Sequence, residues 1–376
     1  MDLYEKLIKP PIRELVRIKD TFDDRREYLR LDKKERLFEF DPVLFKKFKE
    51  SIQFEDISAY YELGPTYRQL SAYLNVPVKQ LFLTAGSDLA IKSVFEAALG
   101  KGDRIIMHSP SYAMLRVYAK MFGVRYTMVS VKEEDWSINY EKMLAKVDGK
   151  TKMVAIENPN GFVGTKLDED QIEYMASQLH KKGILLLIDE AYYYIENSRS
   201  NTHFLIKKYP NVLITQTFSK AHGLAGVRFG CLIGSPRMIG YISRVKPMHE
   251  VNSMSARTAE WIMSHPKLLT DNQRAIAEGK KYLVNALMLA NIPVKDTHAN
   301  FVMIYLPEEG RTKNITKKLM KHKILIRRPF EESFLKGWAL VCVGSPADAR
   351  QFFKALTEIL PTLNPVIHNT RRTIRQ

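Results

Sequence analysis

The chain has 376 residues, 45% apolar and 27% charged, which is the make-up of a soluble globular protein with enough core for two domains. A formal charge of +16 admits nucleic acid, an acidic membrane surface or an anionic small substrate as partner. The basic residues are scattered, and the one tight cluster, Arg371-Arg372-Thr373-Ile374-Arg375, has no zinc-finger or RNA-binding signature beside it, so the expectation is a solvated surface that steers a phosphorylated substrate, with no nucleic acid and no membrane.

In chain order, the start Met1-Asp2-Leu3-Tyr4-Glu5-Lys6 carries acids and soon meets Pro10-Pro11, and no later apolar run nears the roughly 18 residues that span a bilayer. A cytoplasmic location is therefore expected. Residues 1–45 are predicted to pack on a second domain or to reach a neighbouring subunit. From about residue 80, apolar runs at 80–84, 104–108, 124–131, 153–156, 184–188, 212–217 and 227–233 alternate with segments of helical period. That alternation predicts an α/β fold, a largely parallel sheet flanked by helices, over a large domain at 46–255. The remainder, 256–376 together with 1–45, reads as a smaller domain, helical first and then mixed, with strands at 300–305, 324–327 and 339–343. Cys231 and Cys342 are the only cysteines, which excludes a disulfide scaffold, and no metal site is expected.

Ligands of such sheets bind at the carboxyl ends of the strands, and there the polar residues gather. Gly86-Ser87-Asp88 follows the first run and opens a helical pattern, so its N–H groups can receive a phosphate; taken alone it is also a common turn and cap. Tyr112 follows Ser109-Pro110-Ser111 and can stack on a planar heterocycle or serve the core. Asp189 ends the run Ile184-Leu185-Leu186-Leu187-Ile188, where a buried carboxylate needs a cationic or proton-donating partner such as a protonated pyridine nitrogen.

Lys220 carries the sharpest signal. It lies at the end of an apolar strand in Thr217-Phe218-Ser219-Lys220-Ala221-His222-Gly223-Leu224-Ala225-Gly226-Val227-Arg228-Phe229-Gly230. An amine with a hydroxyl beside it and a cation eight residues on suits a lysine that holds a phosphorylated aldehyde as a Schiff base, with Thr217, Ser219 and Arg228 taking the phosphate.

This stretch closely resembles the cofactor-lysine motif of the class I/II aminotransferases, the fold-type I pyridoxal phosphate (PLP) enzymes. The resemblance spans about 60–360, adds Gly64-Pro65-Thr66-Tyr67-Arg68-Gln69-Leu70, Ala299-Asn300-Phe301-Val302 and Ile326-Arg327, and is strongest to the histidinol-phosphate aminotransferase-like branch, which includes phosphothreonine decarboxylases. It implies an aspartate-aminotransferase-like fold, with a large mostly parallel seven-stranded sheet domain plus a smaller α/β domain, and PLP as cofactor. It further implies that Lys220 carries the cofactor and moves the proton at Cα, that Tyr112 covers the pyridine ring and that Tyr192 bonds the ring hydroxyl. Tyr61, or Tyr60, would reach the cofactor phosphate of a partner subunit, making a homodimer with shared sites. Arg327 and Arg328 would grip the phosphate of a small phosphorylated amine or amino acid; a solvated strand end is the plainer reading of that pair.

Two departures bear on the reaction. The family's Asn-Pro-Asn-Asn-Pro-Thr-Gly becomes Asn158-Pro159-Asn160-Gly161-Phe162-Val163-Gly164, so the asparagine that faces the ring hydroxyl falls on Gly161, and Asn160 is the neighbour that could shift to replace it. The family's carboxylate-binding arginine falls on Leu340 in Ala339-Leu340-Val341-Cys342-Val343-Gly344. Losing a bidentate anchor weakens the binding of a keto-acid acceptor, whereas an unpaired carboxylate in an apolar pocket favours loss of CO2. The narrow preference is therefore a decarboxylase acting on a phosphorylated hydroxy-amino acid such as phosphoserine. An aminotransferase on a phosphorylated substrate is the alternative, and a non-catalytic PLP-sensing protein a remote third.

Overall fold

The structure, a computed structural model, describes residues 6–15, 24–196, 200, 202–306, 309–327 and 333–360. The chain divides into two compact units: the described residues within 1–20 and 40–270, and those within 21–39 and 271–376. The short strand β1 (Leu29–Leu31) belongs to the second unit.

In the first unit, β2 (Leu81–Thr84), β3 (Arg104–Ser109), β4 (Arg125–Ser130), β5 (Thr151–Glu157), β6 (Leu185–Asp189), β7 (Val212–Thr217) and β8 (Gly230–Ile233) form one sheet in the order β2-β8-β7-β6-β5-β3-β4. All neighbours pair in parallel except β8, which runs antiparallel to both β2 and β7. The mostly parallel seven-stranded sheet thus follows from the apolar runs. Strands β2, β7 and β8 are buried along their whole length, because helices cover both faces and leave no polar side to alternate with. One such cover is the helix Ser87–Ala98, whose Ala90, Val94 and Phe95 meet Ile105, Met107, Leu213 and Leu232 of the sheet in a single core. Strand β4 closes the sheet as an edge and exposes Arg125 and Tyr126.

Two strands differ from expectation in an instructive way. The run at 227–233 becomes a strand only from Gly230, because Arg228 takes a left-handed backbone at φ 58°, incompatible with an extended ladder. Strand β5 runs one residue past its last aliphatic side chain and ends on Glu157, which pairs in register with Asp189 of β6. Strands β3, β5, β6 and β7 therefore end on one edge at Ser109, Glu157, Asp189 and Thr217.

In the second unit, β1 pairs in parallel with β11 (Ile324–Ile326), while β12 (Trp338–Cys342), β10 (Phe301–Tyr305) and β9 (Val294–Lys295) form an antiparallel sheet. Leu340 is fully buried at the centre of β12 opposite Met303. Among the described residues no helix is long and apolar enough to cross a membrane, and no group of three or more His, Cys, Asp and Glu side chains could hold a metal ion.

Candidate active site

Beyond the ends of β2, β7 and β8 the backbone forms an anion cradle. Gly86, at φ 84°, turns the chain from β2 into the helix Ser87–Ala98, so the unpaired N–H groups of the helix start face this edge of the sheet. Arg228 uses its left-handed backbone to bring its guanidinium to the same turn, with Nη1 donating to Ser219 Oγ at 3.3 Å and Nη2 to the Ala85 carbonyl at 3.4 Å. Thr217 Oγ1 donates to Ser219 Oγ at 2.9 Å and receives the Ser219 N–H at 3.2 Å. Glycine is required for these groups to meet. A Cβ on Gly86 would lie 2.7 Å from Arg228 Nη2, and one on Gly230 would lie 2.6 Å from the Gln216 carbonyl oxygen and 2.8 Å from Ser87 N. Helix N–H groups, two hydroxyls and a guanidinium whose protein acceptors are all long and neutral make a site for a phosphate group.

The neighbouring strand ends form the second half. Asp189 is buried, and its Oδ1 accepts from Thr215 Oγ1 at 2.9 Å and from the Ala191 N–H at 3.1 Å. Burial, reinforced by the nearby Glu157 carboxylate, pushes its pKa up to about 7. The Thr215 hydroxyl and the Ala191 N–H are neutral donors, so this carboxyl group can still take a proton or pair with a ring cation. Tyr112 follows the cis Ser109–Pro110 bond, and its phenol pKa is driven far up by burial and by the carboxylates of Asp88 and Asp189. Asp88 itself accepts from Tyr118 Oη at 2.9 Å. The Lys220 amine stands 5.7 Å above the buried Tyr192 ring. An aromatic wall, a buried acid and an amine thus lie along the sheet edge that also carries the phosphate cradle.

Not every expected residue turns this way. Asn160 is fully buried in its own loop, where Oδ1 accepts the N–H groups of Phe162 at 2.7 Å and Val163 at 3.2 Å and Nδ2 donates to the Pro110 carbonyl at 3.1 Å. Those bonds hold the loop closed, so the shift expected of Asn160 into the gap at Gly161 does not occur. Tyr61 Oη donates to Glu260 at 2.9 Å within the same unit, and Thr66 Oγ1 donates to that carboxylate at 2.6 Å. Arg327 follows the end of β11 in the second unit, half-buried, and Arg328 lies outside the described residues.

Two residues that sequence reasoning missed belong to this edge. Glu157 is buried and accepts the Tyr112 N–H at Oε1 and the Gly161 N–H at Oε2, the latter at 3.1 Å. His108 accepts the Glu157 N–H at Nε2, 2.9 Å, and donates from Nδ1 to the Pro110 carbonyl, also 2.9 Å; burial drops its pKa to about 4, so it is a neutral prop. The signal for Glu157 was the one that identified Asp189, an acid ending an apolar run.

A family model described as aminotransferase class I and II matches residues 30–356. A histidinol-phosphate aminotransferase of Sulfurisphaera tokodaii is 30% identical over 325 residues, 82% of this chain and 87% of that protein. Histidinol-phosphate aminotransferase 1 of Carboxydothermus hydrogenoformans is 30% identical over 335 residues, 88% of this chain and 93% of that protein. Among solved structures, the histidinol-phosphate aminotransferase of Sinorhizobium meliloti in complex with pyridoxal-5'-phosphate superposes with a TM-score of 0.85 at 19% identity, covering 95% of this chain and 98% of that one.

Proposed function

The chain belongs to the class I and II aminotransferase family and is a pyridoxal phosphate-dependent enzyme, and from that premise we propose that it transfers an amino group to or from a small phosphorylated substrate of the histidinol-phosphate type. The observation that carries this reading is that two relatives matching more than four-fifths of the chain bear the same name. It reverses the order of preference drawn from the sequence, in which decarboxylation came first.

The residues fit the cofactor. Its phosphate suits the N–H groups at Ser87 and Asp88, the hydroxyls of Thr217 and Ser219, and the Arg228 guanidinium, while the Gly86 N–H is already bonded to the Thr84 carbonyl. Asp189, buried and bonded to the neutral donors Thr215 and Ala191, suits the ring nitrogen, and Tyr112 and Tyr192 suit the ring's face and hydroxyl edge. When bound, PLP supplies an aldehyde that condenses with amines and a ring that withdraws electrons from the bond being broken. Lys220 would hold that aldehyde in the resting protein, and its Nζ, once freed by the substrate amine, would be the group placed to take the proton from the substrate's Cα. Asp189 is buried and Tyr112 half-buried, which limits the access of water to this side of the site. Arg327 is assigned to the substrate phosphate on the resemblance alone.

A second reading, decarboxylation of a phosphorylated amino acid, is favoured by one observation: Leu340 occupies the position of the family's carboxylate anchor and is fully buried. Incubation with histidinol phosphate and with phosphoserine, each with and without 2-oxoglutarate, separates the two. Stoichiometric glutamate supports transamination; an amine phosphate with CO2 in the absence of keto acid overturns it.

A homodimer and a cytoplasmic location complete the proposal. The first unit exposes Val43, Phe54, Ile57, Tyr60 and Met248, an apolar group suited to a second copy, and both cysteines are buried as thiols. Sedimentation of the purified protein at twice the chain mass is the expected result, and a monomer at micromolar concentration would count against shared sites.

A further inference from the structure

Gly161 stands where the family motif has an asparagine, and its surroundings show what fills the gap. A Cβ built on Gly161 would lie 2.8 Å from Glu157 Oε2 and 2.8 Å from Tyr192 Cε2. The Glu157 carboxyl group and any side chain at 161 therefore compete for one volume. Glu157 is only 4% exposed, and both of its oxygens are fixed, Oε1 by the Tyr112 N–H and Oε2 by the Gly161 N–H at 3.1 Å. From behind, its own N–H is held by the neutral His108 at 2.9 Å. Strand register sets it beside Asp189. The carboxylate thus sits among Tyr112, Tyr192 and Asp189, all residues of the candidate site, on a backbone that cannot swing away.

We propose that Glu157 presents its carboxylate to the ring-hydroxyl side of bound PLP, taking the place that the side chain of residue 161 fills in the family motif. The inference rests on PLP binding and is independent of the choice between transamination and decarboxylation. An acid in that place differs from an amide in one measurable respect. A negative charge close to the linkage between the cofactor and Lys220 raises the proton affinity of that linkage, so removing the charge lowers it. The other groups that face this edge are the carboxyls of Asp189 and Asp88, the phenols of Tyr112 and Tyr192, and the Lys220 amine itself.

The test uses the PLP-loaded protein and its visible absorbance. In Glu157→Gln, which removes the charge and keeps the length, the pH midpoint of the cofactor band is expected to fall by about one unit or more. Should that variant fail to fold, a steric pair carries the test. Gly161→Asn alone is expected to bind PLP at least about tenfold more weakly, because Glu157 and the Tyr192 ring both crowd it, while Glu157→Ala with Gly161→Asn clears the carboxyl group, leaves only the Tyr192 ring edge to shift, and recovers part of that affinity. An unchanged midpoint in Glu157→Gln, or equal PLP affinity in Gly161→Asn and the double variant, would overturn the inference. Wild-type protein that takes up no PLP at all would remove the cofactor reading and this inference with it.

Discussion

Glu157 and Asp189 end adjacent parallel strands in register, and the two carboxyl groups share a buried edge at which Asp189 is held back from ionising. Such a pair is unfavourable until a cation joins it. The protein without its cofactor therefore stores an electrostatic cost that a positively charged ring can relieve.

Asp189→Asn keeps the bonds from Thr215 and Ala191 sterically possible but removes the charge that suits a ring cation. Breaking a buried pair of this kind costs about 3–5 kcal/mol, so turnover is expected to fall by at least about a hundredfold. Single-turnover kinetics with the PLP-loaded variant check this, and activity within tenfold of wild type would show that Asp189 does not face the ring.

Lys220→Ala is expected to bind PLP reversibly and to lose the cofactor on gel filtration, while wild type keeps it and, after borohydride, gains the mass of the reduced cofactor at Lys220. Peptide mass spectrometry reads the outcome. A label on any other lysine would reassign the attachment point.

Gly230→Ala drives a methyl group to within 2.6 Å of a backbone oxygen and 2.8 Å of Ser87 N, atoms that cannot rotate away. Overpacking of this kind costs about 1–3 kcal/mol, and here it also displaces the helix start from the phosphate cradle. A lower melting temperature together with weaker PLP binding is expected by calorimetry and titration. Gly86→Ala is expected to lower both as well, since its Cβ would lie 2.7 Å from Arg228 Nη2 and its backbone at φ 84° is strained for alanine.

Glu190 predicts a pH dependence of stability. It is buried against Thr202, Ser200 and Gln216, and burial raises its pKa from 4.5 to about 7. An acid whose folded pKa is raised keeps a proton that the unfolded chain has released, so its contribution falls as pH rises from about 4.5 through about 7. The melting temperature of Glu190→Gln, taken relative to wild type, should therefore climb over that window and level off above it. A difference that is flat between pH 5 and 8 would show that Glu190 ionises normally.

Most of the sheet was legible because a strand covered on both faces must be apolar throughout, and the catalytic candidates were legible where such a run stopped on a charge, as at Asp189 and Lys220. Resemblance supplied roles that spacing could not, for Tyr192 above all. The failures have physical causes. Residues 227–229 look extended by composition, yet Arg228 takes a left-handed turn that only the cradle explains. Strand β1 is three residues long and pairs with residues almost three hundred positions away, so no local pattern marks it. Asn160 looked available for the cofactor until its side chain was found closing its own loop. Glu157 lies one residue beyond the run expected at 153–156, yet it ends its strand just as Asp189 does.

The mutual exclusion of the Glu157 carboxyl group and a side chain at Gly161 has a consequence for ancestry. Neither position could have changed alone without passing through a crowded or an empty intermediate, so the two are expected to travel together through descent. Searches that demand an amide at that point of the loop will pass over any lineage that made the exchange.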